Sequence, residues 1–146
     1  MRAVIQRVQR ASVQIEGSTV GSIGRGFLVF LGVGEGDAEA QAEKLWSKIW
    51  KMRIFPDDKG HATGFALADV AGEVLVVSQF TLYADCKKGN RPSFVRAGDP
   101  HEAERLYGYF CDVARRDAPG LQTGEFGADM QVDLLNDGPF TIWLDL

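Results

Sequence analysis

Hydrophobic and polar positions alternate from the start of the chain. In Arg2-Ala3-Val4-Ile5-Gln6-Arg7-Val8-Gln9, the residues Ala3, Ile5 and Arg7 share one face, and Val13 and Ile15 share a face of Ser12–Glu16. A period of two is that of a strand, so two strands are predicted, over 2–9 and 12–16. Gly17-Ser18 is a turn signal, and a short strand follows over 20–23. Phe27 to Leu31 is apolar without interruption, as expected of a strand buried on both faces, and Val74–Val77 within 73–80 repeats that pattern. Between them the period lengthens. Leu45, Ile49 and Met52 form an apolar stripe at helical spacing with Trp46 and Trp50 beside it, predicting a helix from a cap at Asp37 to about Met52. Its acids, Glu39 and Glu43, come early, and Lys48, Lys51 and Arg53 come late, which suits the helix dipole.

A second helix starts at Asp99-Pro100-His101-Glu102, with Asp99 as cap, Pro100 in the first helical position and Glu102 closing a capping box. Ala103, Leu106, Tyr107, Phe110, Val113 and Ala114 give its buried stripe, Cys111 falls off it, and Pro119-Gly120 ends it. Two strands close the chain, over 129–135 and 140–146, joined by Asn136-Asp137-Gly138-Pro139. The order of elements predicts one domain over 1–146, a mixed α/β fold of layered sheets with two main helices packed on one side. Two helices cannot cover both faces of so many strands, so a second sheet layer or a partner subunit must cover the remainder.

Composition narrows the function classes. The length of 146 residues fits one domain, and no run of ~18 apolar residues exists to span a membrane. Two cysteines are too few for the disulfide framework of a small secreted protein, so a cytoplasmic setting is the simpler expectation. Cys86, Cys111, His61 and His101 have no metal-ligand spacing, so neither a metal nor a cofactor is expected. Gly32-Val33-Gly34-Glu35-Gly36 lacks the spacing of a dinucleotide or phosphate loop and reads as a strand-to-helix turn. A net charge of −4 does not advertise a nucleic-acid partner, yet Lys87, Lys88, Arg91 and Arg96 fall within ten residues with no acid between them. Such a run is either a solvated face or a phosphate contact.

Two segments hold candidate chemistry. Ser78-Gln79-Phe80-Thr81 follows a buried strand, where loops of α/β sheets carry function. Ser78 and Thr81 are poor nucleophiles without a base, neither histidine is placed as one, and both hydroxyls can equally satisfy local backbone groups. Gln79 carries donors and acceptors to aim at a ligand. Asn136-Asp137-Gly138-Pro139 reads first as a tight turn.

Taken together, Met1–Val8, Ser78–Asp85, Lys88–Phe94, Phe126–Met130 and Asn136–Pro139 resemble the D-aminoacyl-tRNA deacylase family, from end to end and in order. The resemblance implies homodimers that hydrolyse the ester joining a D-amino acid to the 3′ end of tRNA, and also release glycine mischarged on alanine tRNA. It implies a cis Gly138–Pro139 pair that enters the partner's active site as a chirality filter, supported by Arg7 and Asn136. Ser78, Gln79, Phe80 and Thr81 would line the catalytic pocket, with backbone N–H groups near Phe80 and Thr81 on the oxyanion and the tRNA 2′-hydroxyl helping to activate water. Thr81 as a nucleophile is the competing mechanism. Lys87, Lys88 and Arg91 would contact RNA phosphates. The sequence departs from the family at Phe140, where a small β-branched residue is usual, and over His61–Leu67. A non-catalytic RNA-binding module, a hydrolase of unrelated small esters and a purely structural dimer are the rival readings.

Overall fold

The computed structural model describes residues 1–146, and its spine is one long strand, β1 (Arg2–Ile15), where the alternation predicts two. β2 (Ser18–Ile23) and β3 (Gly26–Gly32) run back along it antiparallel, β2 against Ala11–Ile15 and β3 against Arg2–Val8. β6 (Gln131–Asp145) runs antiparallel beside nearly all of β1. β4 (Glu73–Ser78) lies parallel to β3, and the two-residue β5 (Gln122–Thr123) parallel to β4. Helix α1 (Glu39–Trp50) makes the crossover from β3 to β4, and α2 (Pro100–Asp117) the one from β4 to β5, as parallel pairing requires. The sheet is therefore mixed, with both helices on one side.

β1 stays whole because a bulge lets it change faces. Ala3, Ile5 and Phe27 belong to the larger core, of 24 residues, packed under the helices. Val8, Ala11 and Val13 belong to a second core of 7 residues, closed by Ile23, Leu28, Leu75 and Val77. Register shifts flank Val8, and an extra residue in a strand reverses the parity of everything after it. The distal half of β1, with β2, folds over to form the second layer. β3 and β4 meet at Gly26, where a Cβ would lie 1.9 Å from the Glu73 carbonyl oxygen. Only glycine permits that first rung of the parallel pair.

Several local expectations are corrected. Asp37 does not cap α1. The N-cap is Ala38, whose N–H donates to Gln41 Oε1 (3.1 Å), while Asp37 accepts from Gly34 N–H (2.7 Å) and from the Met1 ammonium (2.6 Å). Asp99 caps α2 by accepting from His101 and Glu102 N–H, but Glu102 turns to Arg105 instead of completing a capping box. Cys111 is in the core, 2% exposed. The last two strands are one. Residues on both sides of Asn136–Pro139 pair with the same strand in the same direction, so no chain reversal occurs there. Trp46 is buried, T-shaped against Phe110, with its indole N–H on Asp117 (2.8 Å).

One face is left open. Val4 pairs with Phe30 on one side and Trp143 on the other, which puts the three side chains in a row facing away from the helices. Trp143 is 49% exposed, beside the half-buried Val4 and Phe30.

Candidate active site

β4 ends at Ser78, and Gln79 N–H still reaches Leu31 carbonyl (2.8 Å) before the chain tightens into a 3-10 turn over Phe80–Tyr83. Tyr83 anchors that turn. It is buried, its hydroxyl donates to Asp37 Oδ2 (3.2 Å), and the Arg2 guanidinium lies 4.3 Å from its ring centre while donating to Leu82 carbonyl (2.9 Å). Burial and the Asp37 carboxylate raise the Tyr83 hydroxyl well above the usual phenol range. A cavity of about 640 Å³ opens where β4 ends. Ser78, Gln79 and Phe80 form one wall, the first turns of α2 a second, and the Phe126–Met130 stretch a third. Phe80, 57% exposed, meets Phe94 edge-on at its mouth, with ring centres 4.9 Å apart. Tyr107 lines the interior and donates to Val76 carbonyl (2.9 Å).

Groups able to move a proton are scarce here. Thr81 lies exposed beside the mouth, and Gln79 Nε2 donates to its Oγ1. An amide donor holds the hydroxyl but cannot take its proton. Burial raises Tyr107 far above the usual phenol range, and pushes the neighbouring Cys111 thiol up to about 11. The lining has one carboxylate, Asp129, and no histidine or thiol, so no set of metal ligands converges on it. What the cavity offers is backbone polarity. The first amides of a 3-10 turn have no acceptor within it.

The second segment protrudes from the sheet. Two steps along β1, from Gln6 to Val8, correspond to five along β6, from Thr141 back to Asn136. The excess chain bulges out, with a cis Gly138–Pro139 bond and both residues exposed. Gly138 has φ +128°, a conformation L side chains rarely adopt, and a Cβ there would also crowd Arg7 Nη2 at 3.0 Å. Asn136 ties the base of the bulge. Its Oδ1 accepts from Phe140 N–H (3.0 Å) and its Nδ2 donates to Phe140 carbonyl (3.1 Å). Arg7, 7% exposed, donates through Nε to Asp137 carbonyl (3.1 Å), pairs with the Asp137 carboxylate (3.0 Å), and reaches Ile54 carbonyl with Nη1. The Phe140 ring, the departure noted in the sequence, stacks on the Arg7 guanidinium with its centre 4.6 Å away.

Within one chain the two segments stand apart. Ala3 pairs with Leu31 at the cavity end of the sheet, and Val8 pairs with Gly26 and Asn136 at the other. The intervening strand is about 17 Å long at ~3.3 Å per residue. Lys87, Lys88 and Arg91 are exposed in a loop pinched by paired Asp85–Ser93 backbone bonds, next to cavity-lining Phe94, and none of the three makes an ion pair. Residue-by-residue reading missed Phe94, Tyr107 and Phe126 as lining groups. The Phe126–Met130 stretch carried a signal as a motif, whereas Tyr107 is indistinguishable in sequence from any other member of a helix stripe.

A family model described as D-Tyr-tRNA(Tyr) deacylase matches residues 4–145. A D-aminoacyl-tRNA deacylase of Lactobacillus acidophilus is 55% identical over 146 residues, covering 100% of both chains. One from Jannaschia sp. is 53% identical over 99% of this chain and 98% of its own. A solved structure titled c-Myc DNA Unwinding Element Binding Protein superposes with a TM-score of 0.95 at 40% identity, over 100% of this chain and 99% of that one. The fold, the ordered motifs and these matches agree over the full length: the chain belongs to the D-aminoacyl-tRNA deacylase family of hydrolases.

Proposed function

We propose that this protein hydrolyses the ester of D-aminoacyl-tRNA, and of glycine mischarged on alanine tRNA, releasing the amino acid and free tRNA. The observation that carries the reading is the separation of its two motifs. A cavity with amides at its mouth lies at one end of the sheet, and a protruding Gly138–Pro139 loop lies at the other. A second copy of the chain brings the loop of each protomer to the cavity of its partner, and the open row of Val4, Phe30 and Trp143 supplies an apolar surface for a homodimer. In that arrangement the Gly138 and Pro139 carbonyls hold the substrate amino group and leave no space for an L side chain. Exclusion by backbone serves every amino acid alike, whereas a side-chain pocket gains only ~1–3 kcal/mol per methylene. Glycine has nothing to exclude and is accepted.

In the reaction, water adds to the ester carbonyl carbon. The charge gathering on the carbonyl oxygen is met by the Phe80 and Thr81 amides, and the bond to the ribose 3′-oxygen then breaks as that oxygen takes up a proton. The vicinal 2′-hydroxyl assists the water, in keeping with a lining that has no histidine and a Thr81 faced by an amide donor. Lys87, Lys88 and Arg91 meet RNA phosphates beside the mouth, and a tRNA substrate fits a cytoplasmic setting. The test is turnover of D-tyrosyl-, L-tyrosyl- and glycyl-tRNA. The first and third are expected to be cleaved and the L ester spared, with Thr81→Ala keeping near-normal rates. Inertness toward D and L esters alike rejects the enzyme in favour of an RNA-binding module. Complete loss in Thr81→Ala restores the nucleophile.

A further inference from the structure

α1 has an outer face that the proposed chemistry does not use. Lys44, Lys48 and Lys51 project from it at helical spacing with Ser47 between them, and with Met52 and Leu144 they line an open groove of about 610 Å³ between the helix and the end of β6. All three lysines are exposed. The acids of the same helix are engaged elsewhere. Glu39 pairs with Arg105 (2.6 Å) and Glu43 accepts from Tyr109 (2.6 Å), both on α2. Asp145, the nearest acid on β6, pairs with Arg2 (3.0 Å). No lysine of the chain takes part in an ion pair. In a protein of net charge −4, this is a local concentration of unpaired positive charge with a hydroxyl at its centre.

We propose that this face docks the phosphate backbone of the double-helical part of tRNA. The inference rests on the reading of tRNA as substrate. The row spans about 10 Å at 1.5 Å rise per residue, a length over which a nucleic-acid duplex presents several phosphates. Flexible lysine stems suit point contacts to phosphates, and they read no sequence. Such a surface serves an enzyme that must accept many tRNAs and select only on the amino acid.

The test is binding of uncharged tRNA across a salt series by wild type, the triple variant K44A/K48A/K51A and its charge-keeping counterpart K44R/K48R/K51R. Alanine favours helix, so the fold is expected to survive, and the thermal midpoint checks it. The alanine variant should lose about tenfold in affinity near 0.1 M salt, and its slope of log K against log salt should flatten by about two units. The arginine variant should keep both. Turnover of D-tyrosyl-adenosine, which carries no duplex, reports separately on the cavity and should fall less than turnover on full tRNA. An unchanged slope, or equal losses on the two substrates, overturns the proposal. So does kept tRNA affinity with lost binding of polyglutamate, which assigns the face to an acidic protein. A flattened slope in the alanine variant, with a wild type that hydrolyses nothing, supports the surface and overturns only the editing reading.

Discussion

Across the bulge of β6, the Asn136 side chain accepts from Phe140 N–H and donates to Phe140 carbonyl, as a neighbouring strand would do. Asparagine is the residue that offers both roles within such short reach. Asn136→Asp keeps the acceptor and loses the donor, leaving a carboxylate opposite a carbonyl. It should cost about 1–3 kcal/mol in unfolding free energy, and D-aminoacyl-tRNA turnover should fall more than tRNA affinity. Denaturant titration alongside D-tyrosyl-tRNA kinetics measures both, and equal stability with full activity would count against the account. At this scale the sequence was readable in part. The candidate residues Arg7, Asn136, Gly138 and Pro139 do converge on one bulge. The turn reading failed because Asn, Asp, Gly and Pro suit any departure from a ladder, and only the pairing of both flanks with β1 tells a bulge from a reversal. Phe140, a departure in sequence, packs on Arg7 in structure, a contact no local pattern encodes.

Elements fared differently according to how much they depend on distant partners. Both helices and the apolar strands β3 and β4 follow from period and run length, since those signals are local. The fusion of 2–9 with 12–16 into β1 was hidden, because polar Gln9 and Arg10 break the alternation where the register shifts. The cap of α1 moved by one residue because Asp37 found stronger donors in the Met1 ammonium and Gly34 N–H. Gly26 belongs at this scale too. Gly26→Ala would drive a methyl into the Glu73 backbone and part the first rung of β3 and β4, the strand that leads into the cavity. We expect one of the larger single-residue losses in the chain, about 3 kcal/mol or more, read as a lowered urea midpoint. A wild-type midpoint would mean the strands slide apart freely.

On the scale of the whole molecule, the helices cover one side of the sheet, the folded-over β1–β2 layer covers part of the other, and the row of Val4, Phe30 and Trp143 remains. Trp143→Asp places a charge in that row. On the proposed homodimer, wild type should sediment as a dimer and the variant as a monomer that has lost D-aminoacyl-tRNA turnover, with little change in thermal midpoint. A dimeric and active variant would move the interface elsewhere. The bulged stretch has a further bearing, on what kinds of change this chain can accept. Ala3 and Ile5 face one core while Ala11 and Val13, at even spacing from them along β1, face the other, across the two register shifts that flank Val8. Adding or deleting a single residue there on β1 would turn its distal half inside out, sending Ala11 and Val13 to the surface. The segment is therefore open to substitution but closed to single-residue insertion and deletion, and its diversification proceeds through side chains at constant length.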